Sequence, residues 1–241
     1  MNYKVSIVIP TFNEEEYLPK LLESIKKQTI KPFEIIVADA FSTDNTRSIA
    51  KLYKCKIVNG GLPAKARNEG AKIAKGNLLL FLDADVILPK NFLKNTLAEF
   101  SAKNLDIASC YMDPITKEKM EHMLFSLANF YFKFTKSFYP HIPGFCIFIK
   151  KHIHQKIKGF NEELFTAEDH DYVQRAEKFG KFAYLKTYKI PVSVRRMSKE
   201  GRVKLIVKYA IVELHMILLG NVKHSIFHYE YGQYKKPNNF L

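Results

Sequence analysis

A pair of aspartates follows a short apolar run in the first half of the chain. The run is Leu78–Leu82, and Asp83 and Asp85 come directly after it. A run this short and this apolar predicts a strand buried on both faces, as in a parallel sheet. Residues two apart in extended backbone point to the same side, so the two carboxylates should converge. Mg²⁺ and Mn²⁺ prefer such oxygen ligands, and a bound ion could carry the phosphates of a nucleotide.

Solvated loop acids would show the same spacing, so neighbouring residues must decide between the two interpretations. Asp39 closes a second apolar run, and Glu168 and Asp169 open a helical segment. Ligands of open α/β sheets bind outside the carboxyl ends of strands, which makes a strand-end acid a candidate. Plainer explanations exist, because Asp39 could cap a helix and the helix dipole favours acids in a first turn. Arg67, on a predicted helix, could likewise be an ordinary surface charge.

Strand and helix patterns alternate through the first hundred residues. Strands are predicted at residues 5–10, 34–39, 55–58 and 78–82, and helices begin near residues 14, 43 and 64. This alternation is typical of an α/β fold with a doubly wound, mostly parallel sheet flanked by helices.

The second half of the chain is organised differently. Strands are predicted at residues 106–110 and 144–149, and helices at 120–138, from 168 onward and at 203–219. We expect one domain over residues 1–195, with a nucleotide-binding half at about 1–100 and an acceptor half at about 101–195. Residues 196–241 are predicted to be a C-terminal helical extension.

The positive charge of the chain is concentrated in this second half. The first hundred residues carry 15 Lys and Arg against 11 Asp and Glu, and the rest carry 23 against 13. Such a bias favours anionic partners. Nucleic acid is not expected, because aromatic and basic residues gather on helices and not on a sheet face. The apolar helices at 117–139 and 203–219 predict peripheral contact with an anionic membrane, with core packing as the alternative.

The location expected for the protein is the cytoplasm, with peripheral contact on the cytoplasmic face of the membrane. No stretch has 18 uncharged apolar residues, so no transmembrane helix is predicted. The N-terminus enters a strand pattern at once, without a signal peptide. The three cysteines are isolated, as in proteins of reducing compartments.

Four stretches together resemble the family 2 glycosyltransferases of the GT-A fold, over roughly residues 4 to 190. They are PTFNE at 10–14, IIVAD at 35–39 with STDNT at 42–46, ARNEG at 66–70 leading to FLDAD at 81–85, and GFNE at 159–162 with ED at 168–169. Each motif alone is weak, but the four occur in the order and spacing of the family.

The resemblance implies roles on the donor side of the reaction. Pro10, Thr11 and Glu14 would line the nucleotide pocket. Asp39 would bond the edge of the base, as the matching acid does with uracil. Arg67 would lie near the base or the diphosphate.

The resemblance also implies roles at the reacting centre. Asp83 would face the ribose or the sugar, and Asp85 would hold Mn²⁺ or Mg²⁺. Asp169 matches the proposed general base, with Glu168 beside it in the acceptor site. A metal neutralises the charge of the leaving diphosphate, and a carboxylate removes the proton of the attacking hydroxyl.

Two departures from the family pattern concern the base and the metal. Many members have a second acid after the one at Asp39 and then a glycine, where this chain has Ala40 and Phe41. Some members supply a late histidine near the metal, but no histidine lies between His170 and His215.

The predicted function is a metal-dependent, inverting glycosyltransferase of hexosyltransferase type. It would move a sugar from a nucleotide-sugar donor, with a UDP-sugar favoured, to a glycan or lipid-linked acceptor. One alternative is a polyprenyl-phosphate glycosyltransferase at the membrane surface. A nucleotidyltransferase and an inactive binding module are the others. A nucleotidyltransferase should have a basic, glycine-rich loop after the first strand, where this chain is acidic.

Overall fold

The computed structural model describes residues 3–222, which form a seven-stranded sheet with helices on both faces. The N-terminal half contains β1 (Val5–Thr11), α1 (Leu18–Lys26), β2 (Glu34–Asp39), α2 (Thr46–Leu52), β3 (Lys56–Asn59), α3 (Pro63–Ile73), β4 (Leu78–Leu82) and α4 (Phe92–Ala102). The C-terminal half contains β5 (Ile107–Pro114), α5 (Lys119–Thr135), β6 (Cys146–Lys150), α6 (Lys151–Lys156), α7 (Glu168–Ala176), β7 (Phe182–Val192), α8 (Arg195–Glu200) and α9 (Arg202–Leu219).

The strand order of the sheet is β3-β2-β1-β4-β6-β5-β7. Strands β1, β2, β3 and β4 pair in parallel, and β5 pairs in parallel with β7. Strand β6 runs antiparallel to both of its neighbours, β4 and β5. The predicted α/β fold with a mostly parallel sheet is confirmed, and β4 is parallel on one side only.

Two apolar cores cover the two faces of the sheet. Alternate residues of β1 and β4 point to opposite faces, so Ile7 and Leu80 join one core while Val8 and Phe81 join the other. Helices α1, α2 and α4 cover the first face, and α3, α6 and α7 cover the second. All five residues of β4 are buried, as its apolar run predicts.

Strand β7 and helix α4 are elements that the sequence patterns did not predict. The register between β5 and β7 shifts after Cys110, so β7 carries extra residues there. Glu99 of α4 binds the backbone of these extra residues. Its carboxylate accepts the N–H groups of Lys186 and Thr187 at 2.9 to 3.0 Å. Burial raises the pKa of Glu99, but the side-chain hydrogen bonds of Lys103 and Thr187, together with these backbone groups, lower it to about 2.

Helix α9 returns to the body of the domain. Leu205 and Met216 are its buried apolar residues, and Arg202 at its start bonds Glu121 of α5 at 2.7 Å. Within residues 3–222, no helix combines the length and the apolarity that a membrane crossing requires. The remainder of the predicted extension, residues 223–241, lies outside the described residues, and its boundary at residue 196 stays a prediction.

Candidate active site

The carboxyl ends of β1 and β2 meet at Thr11 and Asp39, which are partners in the register of the two strands. Asp39 is fully buried, and its carboxylate accepts the Thr11 hydroxyl at 3.0 Å and the Ser42 N–H at 3.0 Å. It also accepts the Ser42 hydroxyl at 2.5 Å and Nη1 of Arg47 at 3.0 Å. Asp39 therefore organises the loop after β2, besides the role implied for it at the base. Pro10, one residue before Thr11, is half-buried in β1.

The loop after β1 carries Glu14 into the site. Its backbone N–H donates to the Thr46 hydroxyl at 2.7 Å, which anchors this loop to the start of α2. The Glu14 carboxylate is buried and forms a two-pronged ion pair with Arg195, at 2.7 and 2.6 Å. Burial raises the pKa of Glu14, although Arg195 lowers it.

The pair Asp83 and Asp85 lies just beyond β4. The strand ends at Leu82 and Asp85 sits in a turn, so the extended backbone expected through both residues is wrong. Each carboxylate instead bonds a different arginine, Asp83 Oδ1 to Arg67 Nη2 at 2.9 Å and Asp85 Oδ2 to Arg195 Nε at 3.0 Å. The two acids still interact, because burial and the charge of Asp83 both raise the pKa of Asp85.

Arg195 is a site residue that the sequence reasoning missed. The end of β7 is bound to the turn after β4, since the Ser193 N–H donates to the Asp85 carbonyl at 3.1 Å and Val86 bridges Val192. This connection carries Arg195 onto Asp85. No local signal reveals the contact, because Arg195 lies 181 residues from Glu14 in the chain.

Arg67 connects the two halves of the site. It is 3% exposed, so the alternative of a surface helix charge is wrong. Its guanidinium binds Asp83 at 2.9 Å and Glu168 at 2.7 Å, and it lies 5.4 Å from the centre of the Phe160 ring. These contacts hold Asp83, just after β4, and Glu168, at the start of α7, in a fixed relation.

Glu168 and Asp169 begin α7 beside Arg67. Burial raises the pKa of Asp169 to about 6, although Arg67 lowers it, and burial together with Asp169 raises the pKa of Glu168. The Asp169 carboxylate accepts the His170 N–H at 2.9 Å. Gly144 is needed here, because a Cβ at that position would lie 2.6 Å from Arg67 Nη2 and 3.2 Å from Asp169 Oδ2.

A cleft of about 410 Å³ opens beside Asp85. Its lining combines basic and hydroxyl side chains with the ring of Tyr17, over which the Arg195 guanidinium lies at 4.4 Å. The polar residues of the lining are Lys20, Asp85, Ser193, Arg195, Ser198 and Lys199. The rest of the lining is apolar (Val86, Ile87, Ile115 and Val194), and the charge of Arg195 is already balanced by Glu14 and Asp85.

The carboxylates fit the divalent cation that the resemblance implies. Asp83 and Asp85 both raise the pKa of Glu14, so three hard oxygen donors act on one another in a small volume. Arg195 holds one oxygen of Asp85. A cation at Asp85 would have to displace this arginine.

Comparison with known proteins gives a family and a set of similar structures. The model of glycosyl transferase family 2 matches residues 6–158. The poly(ribitol-phosphate) β-N-acetylglucosaminyltransferase TarS of Staphylococcus aureus is 33% identical over 132 residues, which are 51% of this chain and 23% of that protein. The matched part of this chain therefore spans about a quarter of the length of TarS.

Two solved structures are similar over most of the chain. TarS with UDP superposes with a TM-score of 0.65 at 25% identity, over 79% of this chain and 60% of that chain. A mannosyltransferase of Pyrobaculum calidifontis with GDP-Man and Mn²⁺ has a TM-score of 0.67 at 18% identity, over 91% of this chain and 71% of that chain. The fold is thus of the predicted GT-A type.

Proposed function

The chain belongs to glycosyl transferase family 2, and on this premise we propose that it transfers a sugar from a nucleotide-sugar donor to a glycan or lipid-linked acceptor. The observation that carries the proposal is the network in which the buried Arg67 joins Asp83 to Glu168 beside Asp169. Such a network fixes a donor-side acid and an acceptor-side acid in one rigid frame, which is what transfer between two substrates requires.

The donor is a UDP-sugar in this proposal. Support comes from TarS, whose structure contains UDP, and from the matching acid Asp39 at the end of β2. Thr11 and the Ser42 hydroxyl hold the Asp39 carboxylate in place, and Pro10 shapes the adjoining end of β1. Asp83, bound to Arg67, faces the ribose or the sugar.

Mn²⁺ or Mg²⁺ would be held by Asp85, with Asp83 and Glu14 beside it. When bound, the ion neutralises charge on the leaving diphosphate. Arg195 has a complementary effect, because it balances the charges of Glu14 and Asp85 in the absence of an ion. Carboxylates that carried no counter-charge would repel one another in this buried place.

Asp169 accepts the proton of the attacking acceptor hydroxyl. Glu168 shares the start of α7 but is tied to Arg67, so it positions the arginine while Asp169 carries out the proton transfer. Attack from the acceptor side on the sugar carbon, opposite the leaving diphosphate, is a single displacement. It inverts the configuration at that carbon.

The acceptor is anionic in this proposal. Support comes from the net charge of the chain, which is +14. The named acceptor of TarS is a poly(ribitol-phosphate), which is a phosphate-bearing polyol. A chain with this net charge attracts such a polyanion.

Contact with an anionic membrane is a separate proposal that concerns location. Phe130 and Phe134 of α5 stack on each other and are each 67% exposed, and α9 exposes a second apolar row. Basic residues accompany both helices, so the surface has the composition of a peripheral membrane helix. Neither a nucleotidyltransferase nor an inactive binding module has such an observation in its favour.

Donor screening by thermal shift tests the proposed function. UDP-, GDP- and dTDP-sugars are compared with and without Mn²⁺, and the preferred donor is then offered poly(ribitol-phosphate), neutral glycans and polyprenyl phosphate, with product detected by mass spectrometry. A true donor stabilises the native state by mass action, by about 2.7 kcal/mol at a hundred times its dissociation constant. A UDP-sugar should raise the melting temperature in the wild type and much less in Asp85→Asn. If no nucleotide sugar shifts the melting temperature, the proposed donor class is wrong.

A further inference from the structure

Three side chains outside the carboxylate cluster meet next to Asp169. His141 comes from the loop before β6, His170 from α7 and Glu213 from α9. Their nearest nitrogen and oxygen atoms all lie within 4.8 Å of one another. His141 is fully buried, and its ring stands perpendicular to that of His170 at 4.6 Å.

The nitrogen Nδ1 of His170 is buried without a hydrogen-bond partner among the described residues. It faces Glu213 Oε2 at 4.0 Å, while Nε2 of the same ring lies 3.8 Å from Asp169 Oδ1. A neutral imidazole with its proton on Nε2 would direct the lone pair of Nδ1 at a carboxylate. A buried polar atom without a partner is unfavourable, and a cation between the two groups would give Nδ1 a partner.

The surroundings supply the outer contacts that metal-binding residues usually have. The Thr135 hydroxyl donates to the Tyr131 carbonyl at 3.0 Å, so it can accept Nδ1–H of His141 at 3.3 Å. His141 Nε2 is hydrogen-bonded to Glu213 Oε1 at 2.7 Å, and an ion bound between these two atoms would replace the proton of that bond. The Tyr131 hydroxyl donates to the same Glu213 oxygen at 2.7 Å. Ligating histidines and carboxylates are typically oriented by such partners.

We propose that His141, His170 and Glu213 bind one transition-metal ion of the Zn²⁺ type, at a site separate from Asp83 and Asp85. Two imidazole nitrogens and one carboxylate oxygen are a common zinc ligand set, which leaves the fourth position to water. Ligand atoms around a tetrahedral ion with bonds of about 2.0–2.2 Å lie roughly 3.4 Å apart. Binding would therefore bring His170 Nδ1 and Glu213 closer than their present 4.0 Å and would separate His141 Nε2 from Glu213 beyond their present 2.7 Å.

The ligand types separate this site from the carboxylate cluster. Imidazole favours Zn²⁺, Cu²⁺, Fe²⁺ or Ni²⁺, whereas carboxylate, carbonyl and water oxygens favour Mg²⁺ and Mn²⁺. The two sites have no residue in common. The inference is therefore independent of the proposed function, and either can fail without the other.

The ion would fasten α9 to the acceptor half of the domain. Helix α9 has 18 residues, but Leu205 and Met216 are its only buried residues among those that the structure describes, so its apolar packing is thin. An ion bound by Glu213, His141 and His170 would connect α9 to α7 at His170, the residue that follows Asp169. It would also fix the ring of His170 beside Asp169.

Metal binding by the full-length chain tests the site. The protein is stripped with a chelator, dialysed against Zn²⁺ and assayed for bound metal by mass spectrometry, and Zn²⁺ affinity is measured by calorimetry. One Zn²⁺ per chain is expected in the wild type and in Asp85→Asn. Glu213→Gln and His170→Gln should bind Zn²⁺ at least tenfold more weakly. Glu121→Gln is the matched control, because it removes a different acid that holds α9, through Arg202.

Two outcomes overturn the site. One is zinc binding in Glu213→Gln equal to that of the wild type. The other is zinc binding that is lost in Asp85→Asn and kept in Glu213→Gln, which assigns the ion to the carboxylate cluster. If the ligand variants do not fold, Co²⁺ bound to the wild type decides the question. Intense visible bands of a four-coordinate site with nitrogen ligands support it, and the pale spectrum of six oxygen ligands overturns it.

Discussion

Arg195 closes on Asp85, with Nε of the guanidinium 3.0 Å from Oδ2 of the carboxylate. The same guanidinium holds both oxygens of Glu14 through its other two nitrogens. Burial favours a neutral side chain, yet these acids keep the pKa of Arg195 above its ordinary value. The arginine thus carries the positive charge at the place where the family resemblance puts a metal ion.

Replacing Arg195 should strengthen metal binding in the absence of donor. Charge-assisted hydrogen bonds contribute about 1.5–3 kcal/mol, so Arg195→Met should tighten Mn²⁺ binding by roughly tenfold or more. Calorimetry with Mn²⁺ alone measures this change. Lys199→Met is the control, because Lys199 lines the same cleft and should leave Mn²⁺ affinity within about twofold. Weaker binding in Arg195→Met would show that the arginine supports the ion and does not compete with it.

Replacing Asp169 should separate catalysis from donor binding. A general base contributes about 10² to 10⁴ in rate, so Asp169→Asn should reduce turnover by this factor on an alcohol acceptor. Donor and metal affinities should change little, because the substitution keeps the size of the side chain. A lipid phosphate acceptor is already anionic, and its turnover should fall much less.

The control for Asp169 lies on the same helix. Asp171 pairs with Arg175 at 2.7 to 2.8 Å and is a structural acid of α7. Asp171→Asn should therefore lower the melting temperature while keeping most of the turnover. Near-normal turnover of Asp169→Asn on an alcohol acceptor would remove Asp169 from the role of base, and Glu168→Gln would be tested next.

The sequence could predict the parts of the site that depend on local pattern. The buried strand β4, the acids that follow it and the acids at the start of α7 can each be identified within a few residues of chain. Arg195 could not, because its contacts with Glu14 and Asp85 arise only when the end of β7 pairs with the turn after β4. Strand β7 itself was hidden, since its register irregularity breaks the alternation that indicates a strand.

The group of His141, His170 and Glu213 was hidden for a related reason. These residues come from three elements that meet only when α9 folds back on the domain. The spacing of these residues along the chain does not indicate that they lie close together. Metal motifs that can be recognised from sequence place their ligands on one or two neighbouring elements.

A methyl group at Gly144 should disturb the network around Arg67. In Gly144→Ala the new Cβ would lie 2.6 Å from Arg67 Nη2, so the guanidinium must move away from Asp83 or Glu168. Loss of one buried charge-assisted bond costs about 1.5–3 kcal/mol, which predicts a ten- to hundredfold loss of kcat/KM. Gly61→Ala is the control, since its Cβ meets only the flexible Lys65 side chain. Unchanged kcat/KM in Gly144→Ala would mean that the position of Arg67 is not critical.

The buried His154 should make the protein less stable in mild acid. It is 8% exposed, and its Nδ1 lies 2.6 Å from the Tyr172 hydroxyl. Burial, with help from Arg175 and Lys151, lowers its pKa from 6.5 to about 4. The unfolded chain therefore binds a proton more readily between these values, and stability is lost as the pH falls from 6.5 to 4. At about 1.4 kcal/mol per pKa unit, the loss is about 3 kcal/mol.

Urea unfolding at several pH values measures this contribution. His154→Phe has no proton to bind and keeps a ring beside Phe81, so its free energy of unfolding should vary less between pH 6.5 and 4 than that of the wild type. His152→Phe, at an exposed position of the same helix, should keep the wild-type dependence. Parallel curves for the wild type and His154→Phe would assign the acid sensitivity to other groups.

The exposed aromatic row of α5 should bind anionic vesicles if it is a membrane surface. Phe130 and Phe134 are each 67% exposed, and Lys133 lies between them in the chain. Each basic residue near an anionic surface contributes on the order of 1 kcal/mol, and salt screens this attraction. The wild type should therefore sediment with phosphatidylserine vesicles at low salt, and less as salt is raised.

Phe130→Ser combined with Phe134→Ser should lose most of this binding. Phe33→Ser, an exposed phenylalanine of the N-terminal half, should not. Equal binding to neutral vesicles, or no binding at low salt, would contradict a membrane surface here. The exposed rings would then be expected to contact a protein partner.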